Sequence, residues 1–215
     1  MAIPSAALAY RRSALMTATK VTVKPPSEEV LQARDDFAVF CTVMGKKPAK
    51  HMLEWHNELC TGVDSECLLG IGGPNTSILA PRGSAKSTVL GLFAAWMIGR
   101  HAAAKKMLRI LYIAYMVDIS RAKSATIKGI LTSGKYREIF PMVRLSKLRR
   151  SDEYWSIDYE FAGIDTAGEE AFTIACGGLK GAITSKRSQL VLIDDPIKSA
   201  ASINNPDIRR EMEQT

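Results

Sequence analysis

The sequence predicts an α/β domain, and three observations carry that prediction. Short apolar runs alternate with amphipathic stretches of helical period. One run leads through a small-residue turn, Ala80 to Thr88, directly into a helix. Another, Gln189 to Ile193, ends in the acid pair Asp194-Asp195. Strands that are apolar throughout belong to mainly parallel sheets covered by helices on both faces. That is the architecture expected here.

The elements follow in order. Residues 1–26 contain Arg11, Arg12, Lys20 and Lys24 but no acid. They read as a disordered arm ended by Pro25-Pro26, although the composition also suits an organellar transit peptide. The domain is expected over 27–215. Ser27-Glu28-Glu29 is a helix start, with a cap hydroxyl followed by acids at the positive end of the helix dipole. Val30, Leu31, Ala33, Phe37, Ala38 and Cys41 continue it at helical spacing until Gly45. A second helix runs from Ala49 to about Cys60. Leu68 to Asn75, with three glycines and a proline, is a loop. Ser77 to Ala80 is a short buried strand, and Lys86 to Gly99 is a helix. Arg109 to Ala114 is a strand, and Ile119 to Leu131 a helix. Trp155 to Phe161 and Ala171 to Ala175 are strands of a more irregular section. Gln189 to Ile193 is a strand apolar on both faces.

With 215 residues, 47% apolar and 24% charged, the chain is long enough to fold around its own core without disulfides. A net charge of +7 favours a polyanionic partner such as nucleic acid, although a basic but otherwise ordinary soluble domain fits as well. Cys41, Cys60, Cys67 and Cys176 form no C-x-x-C pair and have no histidine cluster beside them. They read as reduced thiols of an intracellular protein, not as a disulfide or zinc framework. No apolar run approaches 18 residues, so neither a membrane span nor a membrane partner is expected.

The turn between strand and helix carries the chemistry. Pro81, Arg82, Gly83, Ser84, Ala85, Lys86, Ser87 and Thr88 form a phosphate-binding loop, or P-loop. Backbone N–H groups that turn inward around phosphate oxygens need small side chains, and Gly83, Ser84 and Ala85 supply them. The following helix points its positive end at the anion. Lys86 can reach the β- and γ-phosphates of ATP, and the Ser87 hydroxyl can ligate Mg²⁺. The usual pattern, G-x-x-x-x-G-K-[ST], is altered at both glycines, which are Ala80 and Ala85 here. Ala85 is expected to avoid positive φ. The bland alternative is a glycine-containing turn with an incidental Lys-Ser.

The apolar strand ending in acids is the second half of the case. It places Asp194 beside the loop at the carboxyl edge of the sheet, where it would hold Mg²⁺ directly or through water. Asp195 would orient or deprotonate the attacking water. Adjacent strand residues point to opposite faces, so the two acids have different roles. The alternative is a pair of solvated acids before a proline turn. For transition-state charge, Arg82 could act within the chain, and Arg187 could reach a neighbouring subunit's nucleotide. Either could equally be a surface charge. A finger arginine is worth roughly 10³–10⁵ in rate. Arg144, Lys147, Arg149 and Arg150 could contact a phosphate backbone or form a solvated basic loop. Trp55 and His56 could flank adenine or simply belong to the core. His51 and His101 have no evident chemistry.

Taken in order, Pro81 to Thr88, the strand Ile110 to Ala114, Tyr136-Arg137-Glu138-Ile139-Phe140-Pro141, Gly181 to Arg187 and Leu192-Ile193-Asp194-Asp195-Pro196 resemble the large terminase subunits of tailed phages, most closely those of short-tailed phages. The resemblance covers about Ser27 to Thr215. It implies an ASCE-type P-loop ATPase domain that pumps double-stranded DNA into an empty capsid. Such a domain works as a homo-oligomeric ring on the portal, with a small terminase subunit recognising the DNA, in the cytoplasm of an infected bacterial host. By position, Lys86 and Ser87 would bind phosphate and Mg²⁺, Asp194 would be the Walker-B acid, and Asp195 would stand where many members have a catalytic glutamate. Arg82 would be the loop arginine and Arg187 the finger reaching across subunits. The chain ends twenty residues after Asp195. The expectation is therefore an incomplete ATPase domain without the family's nuclease domain, and no DNA cleavage. The alternatives are another P-loop DNA translocase of helicase type, a non-hydrolysing nucleotide- or DNA-binding assembly fragment, and, more distantly, a small-molecule kinase.

Overall fold

The computed structural model describes residues 25–61, 75–179 and 187–197, together with Pro206 and Arg210. Most of the expected arm (1–24), most of the glycine-rich loop, Cys67 and residues 181–186 of the terminase-like pattern lie outside the described residues.

The amino-terminal helical stretch forms two helices, not one. The first, α1 (Glu28–Asp35), starts as expected, with the Ser27 hydroxyl accepting from the Val30 N–H at 3.4 Å. Asp36 then interrupts the pattern. Its carboxylate accepts from the N–H groups of Ala38 and Val39 at 2.7 and 3.0 Å and caps α2 (Phe37–Val43). A short acid that offers the backbone a local acceptor ends one helix and begins the next. The stretch closes at Gly45, with φ +79°. Helix α3 (Lys50–Cys60) follows.

Helix α4 (Lys86–Ala103) is the longest described helix, and 12 of its 18 residues are buried. It runs past Gly99, where it was expected to stop. A Cβ at Gly99 would stand 2.3 Å from the Phe140 ring. The glycine is there for close packing, and the helix continues to the αL residue Lys105, with φ +56°. Strand β1 (Ile110–Ala114), α5 (Val117–Thr132) and α6 (Gly134–Ile139) come next, the last capped by the Ser133 hydroxyl. Strand β2 (Leu145–Arg150) lies where the sequence pattern marked a basic loop. It is exposed along most of its length, so no apolar alternation betrays it. Strand β3 (Tyr154–Ile157) ends before Phe161 because the Asp158 carboxylate accepts from the Phe161 N–H at 3.0 Å and starts a turn. Strand β4 (Ile174–Gly178) begins three residues later than expected, and β5 (Leu190–Asp194) completes the sheet.

The sheet order is β2-β3-β4-β1-β5. β1 pairs parallel with β4 and β5, whereas β3 pairs antiparallel with β2 and β4. The sheet is thus mixed, not mainly parallel. Tyr154 to Ile157 follows β2 through a short turn, too short for the crossover that a parallel pair requires. Ile110 and Tyr112 face a large core shared with α1, α2, α4, α5 and α6. Leu111 and Ile113 face a smaller cluster with Phe172, Ala175 and Tyr154, to which no helix contributes among the described residues. β5 is an edge strand, and its Val191 and Ile193 are about half exposed, so it is not apolar-buried on both faces. Residues 77–80 form no strand, and Leu79 is 94% exposed. These four residues have no ladder partner among the described strands, and so short an unpaired segment gains too few hydrogen bonds to hold a strand.

Candidate phosphate and metal site

The register of the parallel strands builds the site. Ala114 pairs with Asp194 on one side and Gly178 on the other, so β1, β4 and β5 end at one edge. A Cβ at Gly178 would meet the Val117 nitrogen at 2.9 Å, which explains a glycine where α5 crosses that edge. The turn preceding α4 lies against the end of β5.

In that turn the Ser84 hydroxyl donates to the Pro81 carbonyl at 2.7 Å, and Gly83 adopts φ +82°, as the third residue of a type II turn does. Ala85 adopts φ +65° and ψ 22°. The expectation that it avoids positive φ is therefore overturned. The backbone must reverse here for the Ala85 carbonyl to accept from Val89 N–H at 3.0 Å, and an alanine is held in a conformation that ordinarily calls for glycine.

Side chains from the two ends of the expected motif meet. The Ser87 hydroxyl donates to Asp194 Oδ1 at 3.0 Å, across about 110 residues of sequence. Lys86 Nζ lies 3.2 Å from Asp195 Oδ1 and donates to the Ala80 carbonyl at 2.8 Å. Asp194 is 4% exposed, whereas the Asp195 side chain is 66% exposed. One carboxylate is internal and the other faces solvent. Asp195 itself has φ +43°, a left-handed residue that turns the chain as the strand ends.

Tyr112 is the site residue that the sequence pattern did not single out. Its hydroxyl donates to Asp194 Oδ2 at 3.1 Å, so both oxygens of the buried carboxylate are engaged. Burial, then the adjacent Asp194 charge, pushes the Tyr112 hydroxyl well above its ordinary pKa, so it stays a donor. The signal was present: a tyrosine inside an apolar strand needs a partner for its hydroxyl.

The donor set of Ser87 hydroxyl and Asp194 carboxylate is hard and oxygen-only. It suits Mg²⁺, which takes one or two carboxylates and completes its octahedron with water and substrate phosphates. Among the described residues no group of three or more His, Cys, Asp or Glu side chains stands together. Arg82 is exposed in the turn and makes no ion pair among the described residues. Arg187 precedes β5, at the end of the strand opposite Asp194. The strand alone separates them by about 13 Å at ~3.3 Å per residue, so the structure does not bring Arg187 to its own chain's loop.

The other expected candidates fall elsewhere. Arg144, Lys147, Arg149 and Arg150 lie on or beside β2, at the sheet edge farthest from β5. Arg144 stacks 3.7 Å from the Phe161 ring centroid, and Arg149 donates to the Ala171 carbonyl. Trp55 packs against the core, and His56 is buried 4.3 Å from the Phe37 ring. Cys41 and Cys176 are buried thiols, and burial, then Asp36, pushes Cys41 up to about 12. No described helix is long and apolar enough to cross a membrane. Comparison with protein-family models and with curated proteins finds no match to this chain.

Proposed function

We propose that this chain is a Mg²⁺-dependent ATP-hydrolysing P-loop domain, and that it serves the genome-packaging motor of a tailed phage as the ATPase part of a large terminase subunit. The observation that carries the nucleotide reading is the 3.0 Å contact between Ser87 and the buried Asp194. A hydroxyl at the start of a long helix and a carboxylate at a strand end meet where the helix dipole favours an anion. Mg²⁺, held by Ser87 and Asp194, would supply charge neutralisation on the phosphates. Lys86 would leave the Ala80 carbonyl and Asp195 to bind the β- and γ-phosphates. Asp195, exposed and then released, would take the proton of the attacking water. Arg82 would face the γ-phosphate within the chain, and Arg187 would serve a neighbouring subunit. The packaging role, with double-stranded DNA, a portal-bound ring, a small terminase subunit and the cytoplasm of an infected bacterium, rests on the terminase-like residue pattern.

A second reading, binding without turnover, is favoured by Asp195. It is one methylene shorter than the glutamate usual in such sites, and it is paired with Lys86. The deciding measurement is ATP hydrolysis with Mg²⁺ over a range of protein concentrations, with and without double-stranded DNA, beside Lys86→Ala and Asp195→Asn. DNA-stimulated turnover lost in both variants supports the motor. Binding that Lys86→Ala abolishes, with no turnover at any concentration, supports the second reading.

A further inference from the structure

Strand β2 closes the sheet at the edge opposite β5, four strand spacings or about 19 Å from it. Arg144, just before the strand, and Lys147, Arg149 and Arg150 within it are all exposed. None of the four makes an ion pair among the described residues. The two acids that follow are already engaged: Asp152 pairs with Lys128 at 2.8 Å, and Glu153 pairs with Arg121, both cations belonging to α5. Glu170 accepts from the Tyr154 hydroxyl at 2.7 Å. The β2–β3 hairpin thus engages its acids with α5 and leaves four positive charges without a carboxylate partner.

Three of those cations are held in place without being neutralised. Arg144 is stacked on the Phe161 ring. Arg149 lies 5.4 Å from the Tyr154 ring centroid and donates to the Tyr154 hydroxyl at 3.1 Å and to the Ala171 carbonyl at 2.6 Å. Arg150 Nε donates to the Ser146 carbonyl at 3.2 Å. A guanidinium has five N–H donors, so each arginine keeps donors for an external anion. Side chains positioned in advance also lose less freedom on binding. Edge strands commonly carry charge, which keeps other strands from pairing with them. That protection needs no single sign, and Leu148, 93% exposed within the run, works against it. From Arg144 to Arg150 the chain advances up to about 20 Å at ~3.3 Å per residue, the length of about six phosphates on one strand of a duplex at ~3.4 Å each. A row of like cations on that scale fits a regular polyanion better than a single phosphate group.

We infer that the β2 edge is a docking surface for the phosphodiester backbone of double-stranded DNA, with Arg144, Lys147, Arg149 and Arg150 contacting phosphate oxygens. Such contacts position a duplex and carry no sequence information. The inference rests on the packaging reading for its duplex partner, but it needs neither ATP binding nor hydrolysis. It gives that reading a surface remote from Lys86, Ser87 and Asp194.

The test is fluorescence anisotropy of labelled duplexes of unrelated sequence, titrated with the whole chain over a range of KCl concentrations. Wild type should bind all the duplexes alike, with a log–log salt slope of about −3.6, the value for four phosphate contacts. Lys147 makes no hydrogen bond or ion pair among the described residues, so Lys147→Gln removes charge without removing a fold contact. It should weaken binding about five- to tenfold near ~0.1 M salt and reduce the slope by about one. Lys105→Gln, which removes the same charge from an exposed residue at the end of α4, should change neither. Duplex binding untouched by Lys147→Gln, or weakened equally by Lys105→Gln, would overturn the surface and leave the packaging reading standing. Self-association of Lys147→Gln at unchanged duplex affinity would reduce the cations to edge protection and overturn it too. Poly-glutamate binding that depends on Lys147, beside duplex binding that does not, would assign the surface to an acidic protein segment instead. No duplex binding by the wild type would remove the inference and the DNA partner together, and would leave the ATP reading to its own measurement.

Discussion

Replacing Ala85 by glycine should stabilise this protein, the opposite of what the same change does inside a helix. Ala85 stands at φ +65°, ψ 22°, immediately before α4. An L-residue in that region costs roughly 1–2 kcal/mol, and glycine removes the cost. Against this, glycine gives the unfolded chain more freedom, worth about 0.4–1 kcal/mol. The midpoints leave a net gain of about 0.8 kcal/mol, which for a domain of this size is about a 2–3 °C rise in Tm. Urea denaturation of wild type and Ala85→Gly measures it directly, with the m-value unchanged. A loss of about 1 kcal/mol instead would refute the reasoning, because that is the cost of glycine at an ordinary helical position. Ala85→Val supplies the contrast. A β-branched residue resists positive φ more than alanine does, so its midpoint should fall below wild type.

Two further outcomes follow from buried polar groups. Tyr112→Phe removes one of the two hydrogen bonds to the buried Asp194 carboxylate and should cost about 1.5–3 kcal/mol, the range for bonds to charged groups; equilibrium denaturation at neutral pH reads it. His56 has its pKa lowered from 6.5 by burial, with Asp36 acting in the opposite sense. The unfolded chain therefore takes up a proton that the folded chain refuses. Stability should decline as pH falls below about 6.5 toward the lower folded value, and His56→Leu should flatten that part of the profile relative to wild type. An identical slope in both proteins would remove His56 as its source.

Local chemistry in the sequence determined the contents of the elements. The Ser27 cap, the apolar period of α4, the buried run of β1 and the loop Pro81–Thr88 were legible because each depends on neighbours a few residues away. The acid pair at the end of β5 was legible for the same reason, whereas the burial of one carboxylate and the exposure of the other come from the fold. Competition between local options was not legible. Asp36 caps a new helix within a continuous apolar period, and Gly99 serves a Phe140 ring that lies 41 residues away in sequence. Strand β2, exposed along most of its length and without apolar alternation, is held as a strand by its pairing with β3. Residues 77–80, apolar and strand-like, are not one, since no ladder forms beside them.

The site divides in the same way. Lys86, Ser87, Asp194 and Asp195 were identifiable as residue types at meaningful places, but only the fold, with the start of α4 against a β5 held by its parallel register with β1, brings Ser87 to within 3.0 Å of Asp194. Tyr112 enters through that register too, because it lies one strand over from the acid it holds. Arg187 shows the converse: close to the acids in sequence, it is carried to the far end of β5 by strand geometry. Sequence sets what each residue can do within a turn or two. Which residues act together is set by strand pairing and close packing, because these join positions about a hundred residues apart at distances of a few ångströms.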